Sequence, residues 1–83
     1  MSIYTIRVAS QLRPYLKDIR IQAGKTQTEV AQALGITQQS YAQLEAAPEK
    51  MRVERFLHIL QILGYTLNIA PRTDMTDVQA DEW

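Results

Sequence analysis

The chain has 83 residues, no cysteine and a formal net charge of zero. This length suits one small domain, and without cysteine the chain can form neither a disulfide framework nor a thiolate metal site. No apolar run approaches the length of a membrane span, and the opening MSIYTIRV lacks the long apolar segment of a signal peptide. Residues 1–72 contain all nine Lys and Arg with five acids, a net charge of +4, and residues 73–83 contain the other four acids, a net charge of −4. This asymmetry indicates a polyanion-binding domain over residues 1–72, followed by an acidic tail.

The first predicted elements are a short strand and a helix. In residues 3–8, the apolar side chains Tyr4, Ile6 and Val8 alternate with Thr5 and Arg7, which indicates a strand or an ordered arm. Apolar side chains then recur with helical spacing from Leu12 to Ala23. The start of this helix is open. Ser10 can cap it, but Pro14 is tolerated only in a first turn, so the helix can instead begin at Pro14.

Residues 26–45 predict two short helices joined by a tight turn. Thr26 is a favourable N-cap, and Glu29 stands three residues later, where it can close a capping box. Gly35 supplies a left-handed position that ends this helix. Thr37 then caps the next helix. The arrangement is that of a helix-turn-helix.

The second of these helices has an unusual outer face. Tyr41 and Leu44 are expected to point inward, which leaves uncharged polar side chains outside: Gln38, Gln39 and Gln43, with Ser40 beside them. A glutamine amide carries an acceptor and a donor pair spaced to bind N7 and N6 of adenine. The plain alternative is a solvated face with no role. Together with the two caps and the glycine turn, however, the pattern indicates DNA binding.

Residues 46–51 predict a loop, and residues 52–63 predict a fourth helix. The predicted core face of that helix comprises Val53, Phe56, Leu57, Leu60 and Leu63. Ile59 and Ile62 lie off that face, and a helix that is apolar on more than one side indicates an interface in so small a domain. His58 is the only histidine. We interpret it as an ordinary surface or partly buried side chain, because no second ligand or nucleophile partner is evident beside it.

The end of the chain predicts a strand and a tail. Residues 65–70 alternate like a strand, which would need a partner: either the N-terminal segment or the same strand of a second copy. We therefore predict dimerisation through the following side chains: Ile59, Ile62, Tyr65, Leu67 and Ile69. Residues 73–83 are polar and acidic, and we expect them to be disordered in isolation. Trp83 is either a chance residue or an anchor for a pocket on a partner protein.

The segment RIQAGKTQTEVAQALGITQQSYAQLE, residues 20–45, resembles the helix-turn-helix core of the phage lambda/434 repressor and Cro superfamily, also called XRE-type. The resemblance covers about residues 12–64. It implies a mainly α fold, a four-to-five-helix lambda-repressor-like DNA-binding domain, here with one short C-terminal dimerisation strand.

The same resemblance implies roles for individual residues. In that family the residue matching Gln27 contacts the DNA backbone and supports the next helix, whereas those matching Gln38, Gln39 and Gln43 face the bases. The residues matching Arg20 and Glu45 form an internal ion pair. We also expect backbone contacts from Ser40, and from Lys50 and Arg52, for which ordinary solvated charges are an equal alternative. Ala46-Ala47 stands where many members of the family have Asn-Gly, so the geometry of the loop that follows is expected to differ from the family pattern.

The complete layout is similar to that of HipB-type antitoxins. An arm, a helical core, one strand and an acidic tail carrying Glu82-Trp83 follow one another along the chain. The resemblance implies a cytoplasmic homodimer, nucleoid-associated when bound to operator DNA, that represses its own operon and binds a HipA-like Ser/Thr kinase toxin. The alternatives are a free-standing phage-type or metabolic repressor, and a protein-interaction module with a degenerate helix-turn-helix. We expect no enzyme, metal or cofactor, because no nucleophile pair, ligand cluster or phosphate-binding glycine motif is present.

Overall fold

The computed structural model describes residues 3–72, which form a mainly α-helical domain, and the predicted fold class is confirmed. Four α-helices follow one another: α1, Leu12–Gln22; α2, Gln27–Leu34; α3, Gln38–Ala46; and α4, Val53–Leu63. Two short 3-10 turns precede α1 and link α3 to α4: Ala9–Gln11 and Pro48–Lys50. The predicted acidic tail, including Trp83, lies outside the described residues.

The turn between α2 and α3 forms through the local signals that predicted it. Thr26 Oγ1 accepts a hydrogen bond from the Glu29 amide at 3.1 Å, and Glu29 Oε1 accepts one from the Thr26 amide at 2.8 Å. Gly35 follows α2 with φ of 76°, a left-handed conformation that costs glycine little. Thr37 Oγ1 then accepts from the Ser40 amide at 3.0 Å and starts α3. These caps determine how α3 leaves the turn.

The start of α1 differs from both predicted alternatives. The helix begins at Leu12, and the preceding 3-10 turn is capped by Gln11, whose Oε1 accepts from the Arg7 amide at 2.6 Å and the Val8 amide at 3.1 Å. Pro14 is therefore the third residue of α1. It is tolerated there because the first amides of a helix have no intrahelical acceptor.

The core lies where the four helices meet. α2 packs against α3 and α4, while α1 packs against α3 and the second 3-10 turn. Eight side chains are buried in one cluster: Leu16, Ile19, Val30, Ala31, Tyr41, Ile59, Leu60 and Leu63. Tyr41 is the largest fully buried side chain, so α3 is anchored to the domain through the middle of its inner face.

The predicted core face of α4 was wrong by part of a turn. Val53 is 68% exposed and Leu57 is 43% exposed, whereas Ile59 is completely buried. The buried residues Ile59, Leu60 and Leu63 follow helical spacing. The segment FLHILQIL contains apolar residues at too many positions for periodicity alone to define one face, so packing against the other helices decides its orientation.

The two predicted strands are absent from the described part of the chain. Neither residues 3–8 nor residues 65–72, called here the C-terminal segment, form a strand. A strand exists only where its amides and carbonyls pair with a neighbour, and residues 3–72 supply no such ladder for either segment. The C-terminal segment begins after Gly64, which ends α4 with φ of 84°.

The N-terminal residues form the ordered arm that was the alternative to a strand. The Tyr4 ring makes an edge contact with Tyr15 of α1 at a centroid distance of 5.1 Å and lies 6.2 Å from the Tyr65 ring. The Tyr4 hydroxyl donates a hydrogen bond to Asp18, and this bond to a carboxylate raises the pKa of Tyr4 to about 12. Aromatic packing and this hydrogen bond therefore hold the arm on α1.

Candidate nucleic-acid interface

The outer face of α3 presents the four polar side chains that the sequence singled out. We call Gln38, Gln39, Ser40 and Gln43 the glutamine face, and all four are exposed. The opposite side of the same helix carries Tyr41, fully buried, and Glu45, which is 6% exposed. Because α3 is anchored from behind, its glutamine face is held on a rigid surface and points away from the core.

Beneath this face, Arg20 and Glu45 form the ion pair expected from the resemblance. Arg20 Nε donates to Glu45 Oε2 at 2.6 Å, and Arg20 Nη2 donates to Glu45 Oε1 at 3.1 Å. The two side chains are only 11% and 5% exposed. This bidentate geometry ties α1 to the last turn of α3, where the helix dipole alone would disfavour a carboxylate.

Two further donors complete the surroundings of Glu45. Gln27 Nε2 donates to its Oε1 at 3.0 Å, and the Tyr41 hydroxyl donates to its Oε2 at 2.9 Å. Burial opposes ionisation of Glu45, but the hydrogen bonds from Arg20, Gln27 and Tyr41 outweigh burial and lower its pKa. Burial beside this carboxylate raises the pKa of Tyr41. The carboxylate is therefore charged at neutral pH and can act only as an acceptor.

The charge of Glu45 determines the orientation of two glutamine amides. Gln27 must direct its nitrogen toward the carboxylate, so its Oε1 points outward and accepts from Gln38 Nε2 at 2.7 Å. Gln38 consequently keeps its own Oε1 and one amide hydrogen for other partners. The chain of hydrogen bonds thus connects the buried ion pair to Gln38 of the glutamine face and fixes the orientation of its amide.

The remaining predicted contact residues lie at the start of α3 and in the connection between α3 and α4. The Ser40 hydroxyl accepts a hydrogen bond from Thr37 Oγ1 at 2.9 Å, which leaves its own proton free for another acceptor. Lys50 ends the second 3-10 turn, Arg52 is the N-cap of α4, and both are exposed. Their exposure suits contact with a ligand, and their contact with DNA stays a prediction.

The loop after α3 accommodates the Ala46-Ala47 departure without a left-handed residue. α3 continues through Ala46, and Ala47 has φ of −143°, so no glycine is needed at this position. The 3-10 turn that follows is tied to α1 by Arg13, whose Nε donates to Glu49 Oε2 at 2.9 Å. This pair joins residues 36 positions apart and had no signal in the sequence.

Comparisons with known proteins agree with this geometry. A family model described as Helix-turn-helix matches residues 16–69. The chain belongs to the helix-turn-helix family. It is 31% identical to the antitoxin HipB of Escherichia coli strain K12, over 100% of this chain and 99% of the relative. It is 29% identical to the antitoxin HipB of Escherichia coli O6:H1, over 99% of this chain and 87% of the relative.

A solved structure described as a HipB-O1-O2 complex matches with a TM-score of 0.65 and 31% identity, covering 86% of this chain and 99% of the other. The chain is therefore a HipB-like member of the helix-turn-helix class of DNA-binding regulators. The glutamine face and the Arg20–Glu45 pair both lie within the matched segment.

The residues predicted for dimerisation differ in how far the single chain buries them. Ile59 belongs to the core of the single chain, so the expectation that it lies off the core face was wrong. Ile62 and Tyr65 are partly buried, whereas Leu67 and Ile69 are exposed. Leu67 lines a shallow groove with Leu57 at the end of α4. Of the predicted set, only Leu67 and Ile69 are exposed in the described chain.

Within residues 3–72, no group of three or more His, Cys, Asp and Glu side chains is arranged to hold a metal ion. No described helix has both the length and the apolar character to cross a bilayer. His58 is exposed and lines a surface groove with Arg52, Arg55 and Leu34. Periodicity predicted only that Tyr41 is buried and missed its hydrogen bond to Glu45. The i,i+4 spacing of the two residues on α3 was the signal that could have indicated this bond.

Proposed function

We propose that the chain is a dimeric, sequence-specific repressor that controls its own operon and neutralises a HipA-like Ser/Thr kinase toxin. The observation that carries the proposal is the exposed glutamine face, in which the Glu45 network fixes the amide of Gln38 through Gln27. A preorganised polar face loses little side-chain entropy when it binds, so it suits selection among base pairs.

In the proposed mechanism α3 enters the major groove of operator DNA. Gln39 and Gln43 donate to and accept from base edges, and Gln38 does so with the groups that Gln27 leaves free. A glutamine bound in this way to adenine uses one donor and one acceptor, which thymine, guanine and cytosine cannot match in the same arrangement. Each such contact contributes ~1–3 kcal/mol of discrimination.

Backbone contacts supply the rest of the affinity. Gln27, Ser40, Lys50 and Arg52 would bind phosphates on either side of the groove, because they border the glutamine face or lie on the loop that follows α3. Such contacts position a protein without selecting a sequence. They also make affinity depend strongly on salt, since each neutralised phosphate releases counterions.

Dimerisation would use the apolar side chains of the C-terminal segment. Leu67 and Ile69 are exposed, the latter by 96%, and apolar side chains in such positions are stabilised when a second copy covers them. A two-fold dimer presents two copies of α3, so that two half-sites are bound together.

The first test is binding to the DNA upstream of the chain's own gene. The chain should bind this duplex more tightly than a scrambled duplex of equal length at the same salt concentration, as measured by fluorescence anisotropy. Equal affinity for the two duplexes would contradict sequence-specific repression. Absence of binding to either would favour the protein-interaction module instead.

The toxin partner is proposed because the relatives are named antitoxins. Trp83, outside the described residues, is proposed to anchor the interaction in an apolar pocket of a kinase encoded in the same operon. Trp83→Ala should weaken binding of that kinase by ~2 kcal/mol, a typical value for an aromatic anchor, while operator binding is unchanged. The measurement is calorimetry with each partner. An unchanged kinase affinity would show that Trp83 is not the anchor.

A further inference from the structure

A groove between α1 and α3 adjoins the glutamine face. Arg13 and Lys17 line it from α1, Gln27 from the start of α2, and the small side chains Ala42 and Ala46 from α3. Because two alanines one helical turn apart form one wall, the space between the helices stays open. Through Gln27, which binds Gln38 at 2.7 Å, the groove is continuous with the glutamine face.

The charges around this groove do not cancel. Glu45 also lines it, but that carboxylate is neutralised by Arg20. Arg13 is held by Glu49 through its Nε and Nη2, which leaves Nη1 available. Lys17 is exposed and makes no ion pair or hydrogen bond within residues 3–72. The groove therefore carries one net positive charge, that of the Lys17 ammonium, because its other charged groups are paired.

We propose that Lys17, with Arg13 beside it, binds a phosphate of the DNA strand that borders the major groove occupied by α3. The inference rests on the proposed function and adds a backbone contact from α1. A duplex whose base edges meet α3 places its sugar–phosphate chains along both margins of that helix. The α1–α3 groove lies at one such margin, and its surplus positive charge suits a phosphate. Glu49 acts as a positioning residue, because it binds Nε and Nη2 of Arg13 and so limits the freedom of the guanidinium.

The experiment compares the unaltered chain with Lys17→Gln and Lys17→Arg. Anisotropy is measured on the duplex from upstream of the gene and on the scrambled duplex, from about 50 to 200 mM salt. Lys17→Gln should make the slope of log affinity against log salt shallower by about one unit. Affinity should fall on the order of five- to tenfold at 0.1 M salt on both duplexes alike. Lys17→Arg retains the charge, so it should retain the slope.

The melting temperature of each variant serves as the folding control. Lys17 is exposed and unpaired within the described residues, so neither substitution should change it. If Lys17→Gln keeps the original slope while the unaltered chain still prefers its own duplex, the α1 contact is wrong and the proposed function stands. A loss on one duplex only, or an equal loss in Lys17→Arg, would also overturn the phosphate contact. If the unaltered chain shows no preference, the proposed function itself fails, and this contact fails with it.

Discussion

The α2–α3 pair and the C-terminal segment obtain their conformations from different sources. α2 and α3 are defined by their own caps and by the buried Glu45, which receives hydrogen bonds from three side chains. The C-terminal segment has no strand partner within residues 3–72 and leaves Leu67 and Ile69 exposed. The first region is ready to bind before any ligand arrives. The second leaves apolar surface that nothing else within residues 3–72 covers.

This difference suits the two tasks proposed for the domain. Selection among base pairs requires donors and acceptors in defined positions, and the hydrogen-bond network fixes those of Gln38 at low entropic cost. Association of two copies requires apolar area more than fixed polar geometry. Changes in the network should therefore affect folding and DNA binding together, whereas changes in the C-terminal segment should leave the fold of each chain intact.

The largest expected effect is loss of stability in Arg20→Met. Removing the guanidinium leaves Glu45 buried without its cation, which typically costs ~3–5 kcal/mol. A loss of 1 kcal/mol lowers the melting temperature of a domain of this size by about 4–8 °C. The melting temperature of Arg20→Met, measured by circular dichroism, should therefore lie more than about 10 °C below that of the unaltered chain. Arg13→Met is the matched control, because its pair with Glu49 is exposed on the arginine side, and it should change little. Equal melting temperatures for Arg20→Met and the unaltered chain would contradict a stabilising role for the network.

A smaller effect is expected from Leu67→Asp in the C-terminal segment. A charged side chain in an apolar contact should weaken the dimer by ~2 kcal/mol, the cost typical of a central interface residue, without altering the fold of each chain. Sedimentation equilibrium measures the dimer dissociation constant, and circular dichroism checks the helices. Val53→Asp changes an apolar side chain that is also exposed, by 68% against 43% for Leu67, but lies at the other end of α4, and it should leave association unchanged. A stable monomer for the unaltered chain would remove this proposal.

The smallest effect is a pH dependence that arises from Glu45. Its pKa is lowered in the folded chain from the ordinary value of 4.5, so the unfolded chain binds a proton more readily. The stabilisation is therefore complete above about pH 4.5 and is lost as the pH falls through the folded pKa. Urea denaturation of the unaltered chain and of Glu45→Gln should give stabilities whose difference shrinks as the medium is acidified. A difference that is independent of pH would show that Glu45 does not contribute in this way.

The sequence predicted α2 and α3 accurately because their signals are local. Thr26, Gly35 and Thr37 act within one turn of their own positions, and residue type alone identifies them. The orientation of α4 could not be predicted, because Leu57 and Ile59 are both apolar and only packing against the other helices distinguishes them. The same limit applies to Arg13 and Glu49, whose pairing depends on how α1 meets the turn after α3.

The predicted strands failed for a different physical reason. Alternation over residues 65–70 shows that one side of the segment can be covered, but it does not supply the neighbouring strand that a β ladder requires. In residues 3–8 the side chain of Tyr4 packs on Tyr15, so the segment is held by its side chains and not by backbone pairing. The glutamine face, in contrast, follows from helical spacing alone once Tyr41 is known to be buried.

The most direct test of the central claim measures base preference at the glutamine face. Gln38→Ala, Gln39→Ala and Gln43→Ala are each titrated, by anisotropy, against the operator and its full set of single-base-pair variants. Each substitution is predicted to cost ~1–3 kcal/mol of operator affinity and to relax the preference at its own base-pair position. If all three variants kept both the affinity and the base preference of the unaltered chain, the glutamine face would not be the surface that selects the sequence.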